Sequence, residues 1–188
     1  MHVAGSEPYP WPWDGAGPDD WAVLVVDCAM PAPAGLRSRL RPWLERTERA
    51  GAPTFRVTVG ARHDRVPPED WLGGAVDESV VAPGWNGFSS SPLDDLLRAA
   101  GRSTLLLAGY WLEVGVHSTL RAANDIGYEC AVVADLCTPW DTALAPGALS
   151  TIRFSGGIFG AVVTSGAVAD ELATRALTSA AGTHGGQR

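Results

Sequence analysis

The sequence predicts an α/β fold, a parallel β-sheet with helices packed on both of its faces. Three observations predict it. Short unbroken apolar runs such as WAVLVVD (21–27) and STLLLAG (103–109) suit strands buried on both sides. Between them lie segments whose apolar residues recur at helical spacing. The two kinds alternate along the chain, the order from which crossover helices build a parallel sheet.

Residues 1–20, rich in Pro, Gly and Trp, are expected to form an arm lying over a single domain of residues 21–178. WAVLVVD is its central strand. GLRSRLRPWLERTERAG (35–51) places Leu36, Leu40, Trp43 and Leu44 on one helical face and stops at Gly51. Pro42 inside it predicts a kink or a late helix start. PTFRVTV (53–59) is a second strand, and residues 60–77 read as a loop. SPLDDLLRAAG (91–101) offers Ser91 as a cap ahead of Pro92, then a stripe of Leu93, Leu96 and Leu97. STLLLAG and CAVVAD (130–135) are two more buried strands, with a helix of about 14 residues between them. GGIFGAVVTS (156–165) reads as the last strand and AVADELATRAL (167–177) as the last helix. Residues 179–188 are small and polar, as in a flexible tail.

Composition excludes several function classes. A net charge of −7 argues against a phosphate-backbone binder, which needs a basic face, so no nucleic-acid partner is expected. No apolar run reaches the length of a membrane span, and MHVAGSEPYPWPWDG lacks the basic-then-apolar order of a signal peptide. A cytoplasmic location without membrane contact is the expectation. Three cysteines, Cys28, Cys130 and Cys137, make an odd count with no paired spacing, which argues against a disulfide framework or a zinc site. The eight tryptophans read first as packing residues, since each buries a large area.

In a parallel sheet, ligands bind outside the carboxyl ends of the strands. That rule singles out Asp27, the loop from Val81 to Phe88, the stretch from Gly109 to Gly115, and Asp135. Asp27 ends an apolar run, so it reads either as a turn carboxylate or as a desolvated one with raised pKa, fit to move a proton. Asp135 and Asp125 read as cap and turn residues, Cys28 as a small core residue, and His117 as structural or exposed. Arg62-His63-Asp64 lacks a second histidine, so no metal is expected. GxSxG, GxGxxG and GxxxxGK are all absent, and no cofactor is implied.

The order VLVVD, GWNGFSSSPLDDLLRAAG, LLLAGYWLEVGVHSTLRAANDIGYECAVVADLCTP resembles the isochorismatase-like cysteine hydrolases. EPYPWPWDG (7–15), ANDIGYEC (123–130) and FSGGIFGAVVTS (154–165) are most similar to the ureidoacrylate and biuret amidohydrolase branch. The resemblance spans nearly the whole chain and implies a six-stranded parallel sheet in three layers, commonly assembled as dimers or tetramers. It also implies a catalytic set: an aspartate ending the first strand, a lysine before the GxF segment, and a cysteine at a helix N-terminus that attacks an amide carbon. Asp27 matches the aspartate. Ala82 falls at the lysine, Leu112 at the threonine of the nucleophile turn, and Gly115 at the cysteine.

Amide hydrolysis by a thiol is therefore excluded as an expectation. True isochorismatases, which cleave a vinyl ether, also carry glycine at the cysteine position, although they keep the lysine. The resemblance thus points to acid–base chemistry at Asp27 on a small molecule: enol-ether hydrolysis, elimination or a related proton transfer. Trp85 and Trp111 fall beside the lost lysine and the lost cysteine, and predict an uncharged aromatic wall suited to a flat or apolar ligand. With Phe88, Leu112, Gly115 and Val116 they make up the expected ligand-contacting set. The competing expectation is a pseudoenzyme, a structural or regulatory subunit with its pocket plugged by Trp85 and Trp111.

Overall fold

Three strands in which every residue is buried form the middle of the sheet: β1 (Trp21–Cys28), β2 (Thr54–Val59) and β4 (Thr104–Tyr110). The computed structural model describes residues 1–61 and 70–182. With β3 (Glu78–Val81), β5 (Glu129–Thr138) and β6 (Ala161–Val163), these strands make a six-stranded, all-parallel sheet in the order β3-β2-β1-β4-β5-β6. The chain winds outward from β1 to β3, then returns to build β4 to β6 on the other side. The crevice outside the carboxyl ends of β1 and β4 is therefore the switch point of the topology. Asp27 and the Tyr110–Trp111 junction lie there.

Gly109 makes this close packing possible. Its φ is +125°, and a Cβ on it would stand 1.9 Å from the carbonyl oxygen of Val26. Opposite it the β4–β5 register shifts, an irregularity that lets β5 run on to Thr138, past the expected end at Asp135. Asp135 is a cap as expected: its carboxylate accepts hydrogen bonds from the backbone N–H and the hydroxyl of Ser165, at the start of α5 (Ser165–Gly182).

The other helices are α1 (Leu36–Arg49), α2 (Leu93–Ala99), α3 (His117–Asp125) and α4 (Ala145–Gly157). Contrary to the expected kink or late start, α1 runs helical from Leu36 with Pro42 in its interior. Pro42 is on the exposed side, where water can satisfy the carbonyl that loses its donor. Ser91 accepts a hydrogen bond from the backbone N–H of Leu93, as its cap position predicts. Residues 156–165 are a correction. α4 leaves helical geometry at Phe154; Ser155, Gly156 and Gly157 follow with positive φ, and only Ala161–Val163 form the strand.

The N-terminal arm is tied down at both ends of its loop. Val3 bridges Trp11, Glu7 bridges Val162 beside β6, and the Tyr9 hydroxyl donates to Glu129. At the amino ends of the strands, Nη1 of Arg102 lies among the carbonyls of Pro18, Asp19, Trp21 and Gly51, which share its two hydrogens. No helix among the described residues is long and apolar enough to cross a membrane.

Candidate active site

Asp27 is fully buried, and its carboxylate is held from one side only. Arg56 Nε and Trp71 Nε1 both donate to Oδ2, each at 2.8 Å. Arg56 reaches it because β2 pairs with β1 in parallel register, Val25 opposite Arg56, so Arg56 and Asp27 project from the same face. Oδ1 is the only carboxylate oxygen among the described residues that is buried without a hydrogen-bond partner.

The expectation of an uncharged aromatic wall is thus corrected: a guanidinium, itself nearly buried, approaches Asp27 as closely as the Trp71 indole does. All fourteen basic residues of the chain are arginines, so no lysine could take that place. Sequence reasoning missed Arg56, although a charge in the middle of TFRVTV, where all six residues prove buried, demands a partner. Trp71 was also missed, since it falls in a segment read only as loop. Arg62-His63-Asp64 lies outside the described residues.

The aromatic side chains form a run rather than a ring around the carboxylate. Trp71 packs edge-on to Tyr110 at 5.7 Å, Tyr110 to Trp111 at 5.4 Å, and Trp111 to Trp140 at 4.9 Å. Tyr110 donates to the carbonyl of Met30, and burial, reinforced by the Asp27 charge, pushes its phenol well above the usual range. The Tyr110–Trp111 peptide is cis.

Position 115 lies in a π-helical turn, Leu112–Val116, that leads into α3. A Cβ on Gly115 would meet Val59 Cγ2 at 2.8 Å, Val26 Cγ1 at 3.3 Å and Cys28 Sγ at 3.6 Å. Two valines and a thiol from the other face of the sheet therefore crowd the place where a nucleophile's side chain would begin. Cys28 donates to the carbonyl of Tyr110. Burial pushes its thiol up, the backbone N–H of Trp111 pulls it down, and the Asp27 charge pushes it up again.

The remaining expected contact residues separate. Leu112 and Val116 are buried in the core. Ala82 is also buried, its N–H extending the β3 ladder to the carbonyl of Thr58. Trp85 leaves the Asp27 cluster and covers Gly60 at the end of β2, where a Cβ would lie 2.7 Å from its ring. Phe88 stacks on Tyr128, just ahead of β5 and hence at the opposite end of the sheet, with ring centroids 5.8 Å apart. His117 Nε2 is buried without a partner, and burial with the nearby Arg121 lowers its pKa. Among the described residues no three His, Cys, Asp or Glu side chains converge in a way that could hold a metal ion.

Comparison with known proteins places this geometry. Residues 35–167 match the Isochorismatase domain. Streptothricin hydrolase from Streptomyces noursei is 29% identical over 160 residues, covering 70% of this chain and 54% of that protein. Ureidoacrylate amidohydrolase RutB from Methylorubrum extorquens is 36% identical over 101 residues, covering 53% and 41%. The chain thus spans about half the length of these curated relatives. Among solved structures, an isochorismatase family protein from Burkholderia thailandensis superposes with a TM-score of 0.68 at 24% identity, covering 82% of this chain and 96% of that one. A cysteine hydrolase from Pseudomonas syringae pv. phaseolicola gives the same TM-score at 19% identity, covering 85% and 95%. These likenesses carry the fold, and the domain match carries the lineage: the chain belongs to the isochorismatase family.

Proposed function

We propose that the chain is a small-molecule enzyme that moves a proton at Asp27 without a thiol nucleophile. One observation carries this reading. Both protein donors sit on Oδ2, which leaves Oδ1 buried without a hydrogen-bond partner, whereas most buried polar atoms kept for structure alone have one. The guanidinium and the indole N–H both address Oδ2, and Oδ1 is the oxygen left to take up a proton. An elimination then fits best: a proton leaves a ligand carbon for Oδ1, and the leaving group departs with the electron pair. Enol-ether hydrolysis needs the reverse transfer and fits less well.

The hydrolase names of the relatives support small-molecule chemistry in general and not their own substrates, because Gly115 and Ala82 remove two of the three groups that the thiol route needs. Trp111 remains the aromatic candidate for contact with a ligand, through its place beside Tyr110. The test is a turnover screen against small β-hydroxy and β-amino carbonyl compounds, with enol ethers for the reverse transfer, repeated with the Asp27→Asn variant and after iodoacetamide treatment. Turnover should vanish in the variant and survive alkylation. Full activity in the variant would remove Asp27 from the chemistry.

A second reading, a non-catalytic subunit, is favoured by α4. It buries Ile152 alone, while Leu144, Phe154 and Ile158 at its ends and Trp140 before it are each more than half exposed. A short helix that breaks at Phe154–Gly156 gains little stability without a covered face, and a second copy of the chain is the cover proposed for it. Light scattering of Phe154→Glu/Ile158→Glu against the parent decides: the pair of charges should give a monomer where the parent is a dimer or tetramer.

A further inference from the structure

Resting on the Asp27 reading, we infer that the site selects flat ligands that present an N–H or O–H donor, and that Arg56 and Trp71 are the positioning residues that impose this choice. Saturation of donors and acceptors around the carboxylate imposes the choice. A carboxylate is acceptor-only. Arg56 Nε and Trp71 Nε1 occupy Oδ2 at 2.8 Å each, so both of these donors address the same oxygen. The group that completes Asp27 must therefore donate, and it must do so to Oδ1. A ligand group that only accepts would meet lone pairs with lone pairs. The flatness follows from the walls: Trp71 and Tyr110 meet edge to face beside the carboxylate that Trp71 bonds, and Trp71 is half-buried.

The same locks make a specific forecast for Asp27→Asn. Two fixed donors on one side require the amide carbonyl there, so the –NH2 group must take the place of Oδ1. The site then offers a donor where it previously offered an acceptor, and its preference should invert. A residue kept only for packing predicts no such inversion.

Indole and quinoline test this directly, being flat bicycles of similar size that respectively only donate and only accept, and both neutral at pH 7.5. Dissociation constants are read by ligand-observed NMR on the folded protein. Indole should bind at least about tenfold more tightly than quinoline, the ratio expected when one hydrogen bond to a charged acceptor is at stake. In Asp27→Asn the order should reverse. In Asp27→Asn/Arg56→Met, where the amide is free to flip, the ratio should move towards one. Should Asp27→Asn fold poorly, the parent alone decides, through the indole–quinoline ratio and intermolecular NOEs from indole to Trp71 and Tyr110.

Equal affinities, a quinoline preference in the parent, or no indole binding at millimolar concentration would overturn the inference. These outcomes are separable from those of the proposed chemistry. Loss of turnover in Asp27→Asn with no donor preference sinks the selectivity alone. A preference that inverts while turnover persists sinks the proton transfer alone.

Discussion

Val59 stands where a side chain at position 115 would begin, its Cγ2 2.8 Å from the Cβ that Gly115 lacks. The glycine is thus more than a missing nucleophile, because the neighbouring strand has filled the space beside it. Restoring a cysteine in one step should overpack the site and cost about 1–3 kcal/mol, a fall in Tm of roughly 2–4 °C per kcal/mol for a chain of this size. Gly115→Cys in a Val59→Ala background should cost less than the sum of the two single changes, and guanidinium unfolding of the four proteins measures the coupling. Additivity would show that Val59 does not oppose the new side chain.

The Arg56–Asp27 pair should behave as a buried charge pair. Arg56→Met strands the carboxylate and should cost about 3–5 kcal/mol, while Arg56→Met/Asp27→Leu should recover most of that loss. Urea denaturation reads both. A loss below about 1 kcal/mol for the single change would mean that the pair is solvated in solution.

Two glycines should respond in opposite directions. Gly109→Ala drives a methyl into the Val26 carbonyl and should prevent the β1–β4 pairing, read as loss of soluble, folded protein. Gly147, inside α4, has open space around its Cβ position and no positive φ, so Gly147→Ala should stabilise by about 0.5–1 kcal/mol.

Cys28, Cys130 and Cys137 are buried, and burial raises all three thiols, Cys137 to about 12. At pH 8 a disulfide reagent should therefore label the native protein only as fast as it opens. The sign for stability follows from proton binding. Above about pH 9 the unfolded chain loses thiol protons that the folded chain keeps to higher pH, Cys137 until about pH 12. Stability is thus intact below pH 9 and falls progressively as pH rises through that window. Tyr9, Tyr110 and Tyr128, also raised chiefly by burial, act in the same sense. Chemical denaturation at pH 8, 9.5 and 11 checks the trend.

What could be read beforehand divides along physical lines. β1, β2 and β4 announce themselves because strands buried on both faces are apolar without interruption. β3 does not: it is a four-residue edge strand with three exposed residues. α4 is hidden by its composition, APGALSTIRFSGG, in which Pro, Ser and Gly speak for a turn and little is buried to betray a helical face. Asp27 and Gly115 were legible by position and motif. The partners of Asp27 were not, because Arg56 is 29 residues away in sequence and Trp71 is 44, and only strand register brings the first onto the same face.

Arg102 carries a different kind of consequence. Its guanidinium addresses only main-chain oxygens, those of Pro18, Asp19, Trp21 and Gly51. This contact asks nothing of their side chains, which other demands fix at Trp21, buried, and Gly51, at positive φ; what it does fix is their spacing. Relatives that keep this arginine should tolerate few insertions in the stretch before β1 and in the turn before β2, and a grafting experiment that swaps either connection, with Trp21 and Gly51 retained, should succeed or fail on its length.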